Sequence, residues 1–212
     1  MTLRPRRRLL SILAALMPTA VMPAAVIPAA VILTLAPLPP APRAASWTLE
    51  VLMARLASVP ARHARFVEEK HLAALATPIE ARGELVYRRP AYLEKITTTP
   101  APERLVVDGA TLRFEHDGRV ERFDLTARPE LAALVEAVRG TLAGDLAALS
   151  ASYAVALAGD EGAWRLSLTP RTVALARLLR LVAVEGHGAE PERIDIIEAD
   201  GDTARMRITP LP

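Results

Sequence analysis

The chain has 212 residues, 51% of them apolar and only 4% aromatic, which is enough for one sizeable domain with a core plus a targeting segment. It has no cysteine, which excludes disulfides, thiolate catalysis and thiolate metal sites. The formal charge of +2 hides an asymmetry: residues 1–46 carry five arginines and no acid, leaving 21 basic against 24 acidic side chains in 47–212, and such a mildly acidic body lacks the footprint of a nucleic-acid binder.

The first segment reads as an address. Arg4, Arg6, Arg7 and Arg8 precede an apolar run from Leu9 to about Leu38, and the small residues Ala44-Ala45-Ser46 follow. That order is the signature of a secretory signal peptide over 1–46, with the exported chain starting near Trp47. An uncleaved membrane anchor is the alternative, since the run is long enough to span a bilayer. Pro18, Pro23, Pro28 and Pro37 argue against it, because each interior proline removes a helical hydrogen bond. The adjacent arginines fit a plain basic leader as well as a twin-arginine signal.

Thr48 to Ser58 is expected to be a helix: Thr48 can cap it, Leu49, Leu52, Met53 and Leu56 form one apolar face, and Pro60 ends it. The period then changes. Arg62 to Leu72 fits a long strand, followed by strands near 81–88, 92–99, 103–108, 111–116 and 119–125. Arg89-Pro90, Pro100-Ala101-Pro102, Asp108-Gly109 and Asp117-Gly118 separate the last five, and turns every 8–12 residues argue an antiparallel sheet or barrel.

A helical block interrupts the strands. Pro129 and Glu130 suit a first helical turn, Leu131, Leu134, Val135 and Val138 make an apolar stripe, and Gly140 is the expected stop. A shorter helix starts at Asp145 and runs through Leu149. Strands resume near 152–159, 163–169, 178–186, 192–199 and 203–209, with 171–176 ambiguous. The expected fold is mainly β with a helical lid: about eleven strands and two or three helices in one domain, 47–212.

Catalytic signatures are missing. No His-Glu-x-x-His run, Gly-x-Ser-x-Gly elbow or phosphate-binding glycine loop occurs. The histidines at 63, 71, 116 and 187 have no metal-ligand spacing and read as surface residues. Glu68 and Glu69 are adjacent on a strand and so face opposite ways, which denies them a joint acid–base role. No catalytic residue, metal or cofactor is expected. Arg89 reads either as a surface arginine at a strand end or as a guanidinium donating to helix carbonyls.

The order of these pieces carries a resemblance. A helix Leu-Met-Ala-Arg-Leu-Ala-Ser-Val is followed by Ala64-Arg65-Phe66-Val67-Glu68, then Gly83-Glu84-Leu85-Val86-Tyr87-Arg88-Arg89-Pro90, then Leu105-Val106-Val107-Asp108-Gly109-Ala110-Thr111-Leu112. This resembles the LolA family, periplasmic carriers of outer-membrane lipoproteins, over essentially all of 47–212, in a divergent form. The resemblance implies an incomplete eleven-stranded barrel whose helices cover an apolar cavity. It implies that Arg89 holds the lid closed and that Leu56 faces the cavity. Leu52 on the same helix face, and Leu131, Leu134 and Val138 on the later helix, join them as cavity or lid residues by periodicity. It further implies a monomer in the periplasm, acylated lipoprotein or lipid cargo, an inner-membrane donor and an outer-membrane acceptor. A periplasmic lipid-sensing or adaptor domain is the non-carrier alternative. The low aromatic content and the unfamiliar sequence over 130–149 depart from the housekeeping carrier and leave the cargo open.

Overall fold

The computed structural model describes residues 47–212; the expected signal segment, 1–46, lies outside the described residues. Among the described residues no helix is long and apolar enough to cross a membrane. Eleven strands form one antiparallel sheet in the order β6-β5-β4-β3-β2-β1-β11-β10-β9-β8-β7. The strands are β1 (Ala61–His71), β2 (Ile79–Arg88), β3 (Tyr92–Thr99), β4 (Glu103–Asp108), β5 (Thr111–His116), β6 (Arg119–Asp124), β7 (Tyr153–Gly159), β8 (Trp164–Pro170), β9 (Leu179–His187), β10 (Glu190–Glu198) and β11 (Thr203–Pro210). The helices are α1 (Leu49–Ala57), α2 (Pro129–Ala143), α3 (Leu146–Ser152) and α4 (Val173–Ala176).

The sheet is open. Its two edge strands, β6 and β7, are joined through α2 and α3, so the helical block bridges the edges instead of a strand pairing that would close a barrel. Strand alternation sets the faces. On β1, Ala64, Phe66 and Glu68 are buried while His63, Arg65 and Glu69 are exposed. The outward face of β8–β11 carries an ion-pair network in which Glu185 and Asp195 meet Arg165 and Arg193, and Arg205 Nε lies 3.2 Å from Asp195.

Helix α1 begins where Thr48 Oγ1 accepts from the Val51 amide at 3.3 Å and buries Leu52, Met53 and Leu56. Helix α2 does not stop at Gly140. That residue packs inside the helix against Leu149 of α3, where a Cβ would come within 3.1 Å of the leucine side chain. The chain leaves the helix at Gly144, whose φ of +66° is left-handed and whose missing Cβ admits the Met53 carbonyl of α1. A glycine thus marks the stop, but four residues later than expected, because helix contact claims the first one. The ambiguous stretch 171–176 holds the one-turn helix α4, capped by Thr172 Oγ1 accepting from the Leu175 amide at 3.2 Å.

Two apolar clusters fill the concave side. The larger gathers Leu52 and Leu56 of α1 with Leu149, Tyr153, Trp164, Leu166, Leu168 and Val182. The smaller holds Tyr87, Leu93, Val107, Leu112, Phe114 and Val135. Val138 of α2 packs against both.

Candidate functional site

Between the two clusters lies a cavity of about 400 Å³. Its size falls in the range of about 300–1,000 Å³ common for small-molecule sites. Val138 and Leu142 of α2 roof it, and Leu85, Leu105, Ile194 and Ile208 form much of its wall. Its lining extends to partly exposed residues at the start of β1, the end of β11 and the β9–β10 turn, among them Val59, Glu190 and Leu211.

The six residues expected at the site divide into four groups. Val138 lines the cavity. Leu52 and Leu56 are completely buried but pack in the larger cluster and do not line the opening. Leu134 packs against the same cluster and Leu131 against the smaller one, both partly buried. Arg89 sits outside the cavity: its guanidinium donates to the Ala57 carbonyl, the last residue of α1, at 2.5 Å, and its backbone amide donates to the Pro60 carbonyl at 2.9 Å. A cation at a helix C-terminus is favourably placed against the exposed carbonyls. A second arginine makes a parallel contact: Arg139 of α2 donates to the Gly109 carbonyl in the β4–β5 turn at 2.6 Å and pairs with Glu136 at 2.8 Å.

The cavity wall is not wholly apolar. Lys95 lines it and is 8% exposed. Its ammonium crosses the Phe66 ring at 4.8 Å and reaches Glu68 Oε2 at 2.7 Å; Glu68 is fully buried and also meets Lys70 at 3.4 Å. Burial pushes the Lys95 ammonium below the ordinary lysine value against the pull of Glu68. At the other end, Arg62 and Tyr87 are cross-strand partners on β1 and β2, and both line the cavity. Arg62 donates to Glu190 at 2.9 Å and to the Ala189 carbonyl at 2.7 Å. Loss of hydration pushes the Tyr87 phenol up, opposed by Arg89, Arg62 and Arg139.

Of these four polar residues the sequence singles out only Glu68, and only as half of a carboxylate pair with Glu69. For Glu68 a signal was available, because period-two alternation puts it on the face of Ala64 and Phe66, where an acid needs a partner. Lys95 carries the same signal, two residues from the inward Leu93. One expectation on the histidines is corrected. His63, His71 and His187 are exposed, but His116 is 7% exposed, stacked on Phe114 at 4.6 Å with Nε2 3.0 Å from Glu121. It occupies the inward end of β5, where the edge strand leaves an acid as its neighbour.

A LolA superfamily protein from Nitrosomonas europaea is similar in structure, with 13% identity, a TM-score of 0.42, and coverage of 78% of this chain and 92% of that one. The MucA/MucB complex of Pseudomonas aeruginosa matches at 18% identity and TM-score 0.43, over 76% of this chain and 55% of that one. A DUF1329 family protein from Desulfovibrio piger matches at 11% identity and TM-score 0.41, over 76% and 88%. No curated protein matches the sequence. The family model for outer membrane lipoprotein carrier protein LolA-like matches residues 41–209, nearly all of the described chain. With its open eleven-stranded sheet and bridging helices, this chain belongs to the LolA-like family of outer membrane lipoprotein carrier proteins.

Proposed function

We propose that this chain is a non-enzymatic periplasmic carrier that shelters one acyl chain of a lipoprotein or lipid during transfer toward the outer membrane. The observation that supports this reading is the cavity beneath α2, walled by Leu85, Leu105 and Ile208 and flanked by two filled clusters. Burying about ten methylenes is worth roughly 8 kcal/mol, the micromolar range before ordering costs are deducted. That is strong enough to hold a chain in water and weak enough to yield it to a membrane-side acceptor.

Release requires a lid held by few bonds. Arg89 to the Ala57 carbonyl and Arg139 to the Gly109 carbonyl tie α1 and α2 to the rims of β2 and the β4–β5 turn. Each such charge-assisted bond is worth on the order of 1.5–3 kcal/mol, less where water competes. In this scheme an acyl chain enters from an inner-membrane donor, displaces α2 and breaks these bonds; delivery to an outer-membrane acceptor restores them. The carrier works as a monomer.

Lipid extraction and mass spectrometry of the purified protein test the reading. A bound acyl species is expected. A protein free of lipid that instead forms a stable complex with a membrane protein would support a sensing or adaptor role. Arg89→Leu is expected to change the rate of acyl uptake or release several-fold while moving the unfolding midpoint little; an unchanged transfer rate would remove Arg89 from the mechanism.

A further inference from the structure

Two donor atoms on residues that line the cavity have no hydrogen-bond partner. The Tyr87 hydroxyl and Arg62 Nε are both buried without a hydrogen bond, although most buried polar groups have one. Tyr87 is 1% exposed, and its neighbour across the β1–β2 ladder is Arg62. Directly opposed side chains start from Cβ atoms about 4.5–5.5 Å apart on one face of the ladder, so both donors belong to one neighbourhood. Burial pushes the phenol up most, the Arg89, Arg62 and Arg139 guanidiniums oppose that push and the Glu136 carboxylate adds to it. Glu136 is taken up by Arg139, and Glu190 by Arg62. Arg89 is bonded to a neutral carbonyl and to no carboxylate among the described residues, so its charge is left over.

Unpaired buried donors call for an oxygen acceptor. We propose that Tyr87 and Arg62 hold the oxygen of the ligand's acyl group, the phenol O–H and the Nε–H donating to a carbonyl or carboxylate at the head of a single hydrocarbon chain that runs past Val138 and Ile208. The inference rests on the carrier reading and adds the polarity and orientation of its ligand. In the empty, closed form both donors have lost water and gained nothing; the arriving oxygen, with the side-chain shifts that loading brings, supplies the missing partner. The source is either a free fatty acid or an ester or amide carbonyl on a lipidated protein.

The test is a competition assay with hexadecanoate, its methyl ester and hexadecane on the wild type, Tyr87→Phe and Arg62→Lys. The lysine keeps a cation for Glu190 but has no Nε–H. Each variant is expected to bind the two oxygenated chains roughly 3- to 10-fold more weakly, the worth of one hydrogen bond, and to bind hexadecane unchanged. Hexadecanoate bound more tightly than its ester identifies the free acid as the source; equal affinity identifies a neutral acyl carbonyl. Tyr87→Phe removes an unpaired buried hydroxyl, so the melting temperature of the empty protein is expected to hold or rise. A fall in that temperature would show the hydroxyl to be structural and overturn the proposal. So would equal losses for all three chains, or hexadecane binding the wild type as tightly as the oxygenated chains. In those cases the carrier reading stands; if no chain binds at all, it fails too.

Discussion

The β7–β9 side of the concave face and the side that runs from β10 and β11 through β1 to β4 use the same alternating strands to opposite ends. Trp164, Leu166, Leu168 and Val182 on the first half interdigitate with Leu52 and Leu56 of α1 and with Leu149, leaving these side chains at most 2% exposed. On the second half, large residues give way to Ala64 on β1, and the inward row of β3 carries Lys95. Space remains there under Val138, and charge is admitted to the wall. A hollow in this fold thus comes from what β1 and β3 fail to fill, while α1 and the far strands supply the rigidity that keeps it from collapsing.

Substitutions can sharpen this contrast. The largest effect is expected from Lys95→Met, which leaves Glu68 buried with only the more distant Lys70 at 3.4 Å. A loss of about 3–5 kcal/mol is expected in urea unfolding, most of it recovered when Glu68→Gln is added. A loss below about 1 kcal/mol would mean the pair is hydrated. Next comes Leu56→Ala, in the filled half, expected to cost about 2–5 kcal/mol with little change in acyl binding. If it proved mild for stability but severe for binding, Leu56 would face the ligand after all.

A smaller effect is expected at the seam between helices and sheet. The Tyr153 hydroxyl, at the start of β7, donates to the Ala133 carbonyl of α2 at 2.9 Å. Tyr153→Phe is expected to cost about 1 kcal/mol. Burial raises the Tyr153 pKa above its ordinary value of 10.0, so the phenol's contribution is complete below pH 10 and is lost as pH rises beyond it. The phenylalanine variant is expected to lose less stability than the wild type over that alkaline range; parallel curves would contradict the assignment. The smallest stability effect belongs to Val138→Phe. Added bulk in a packed core costs about 1–3 kcal/mol, but here it enters open space and is expected to cost less than that while abolishing acyl binding.

The sequence displays one half of this contrast better than the other. Strand number and order of elements follow from turn signals such as Asp108-Gly109 and Asp117-Gly118, which act locally and read locally. The first helix and the stripe of Leu131, Leu134 and Val138 are legible from period alone. Whether a residue on such a stripe lines a void or fills a core depends on the strand opposite it. Leu52 and Leu56 share a filled cluster with the bulky residues of β8 and β9, whereas Val138 lines the cavity together with Ala64 and Leu85. That pairing joins residues far apart in the chain, which no local period encodes. Gly140 and Gly144 illustrate the same limit: both look like helix stops, and their contacts, with Leu149 for the first and with Met53 and Ala57 of α1 for the second, decide between them.

The most direct measurement is methyl NMR of the protein titrated with a long-chain acyl ligand. Shifts are expected at Val138, Leu142, Leu85, Leu105 and Ile208, with Leu166, Leu168 and Val182 essentially unmoved. Changes centred on those last three residues, or spread over the convex face with the cavity methyls silent, would contradict the assignment of the hollow half as the acyl-binding site.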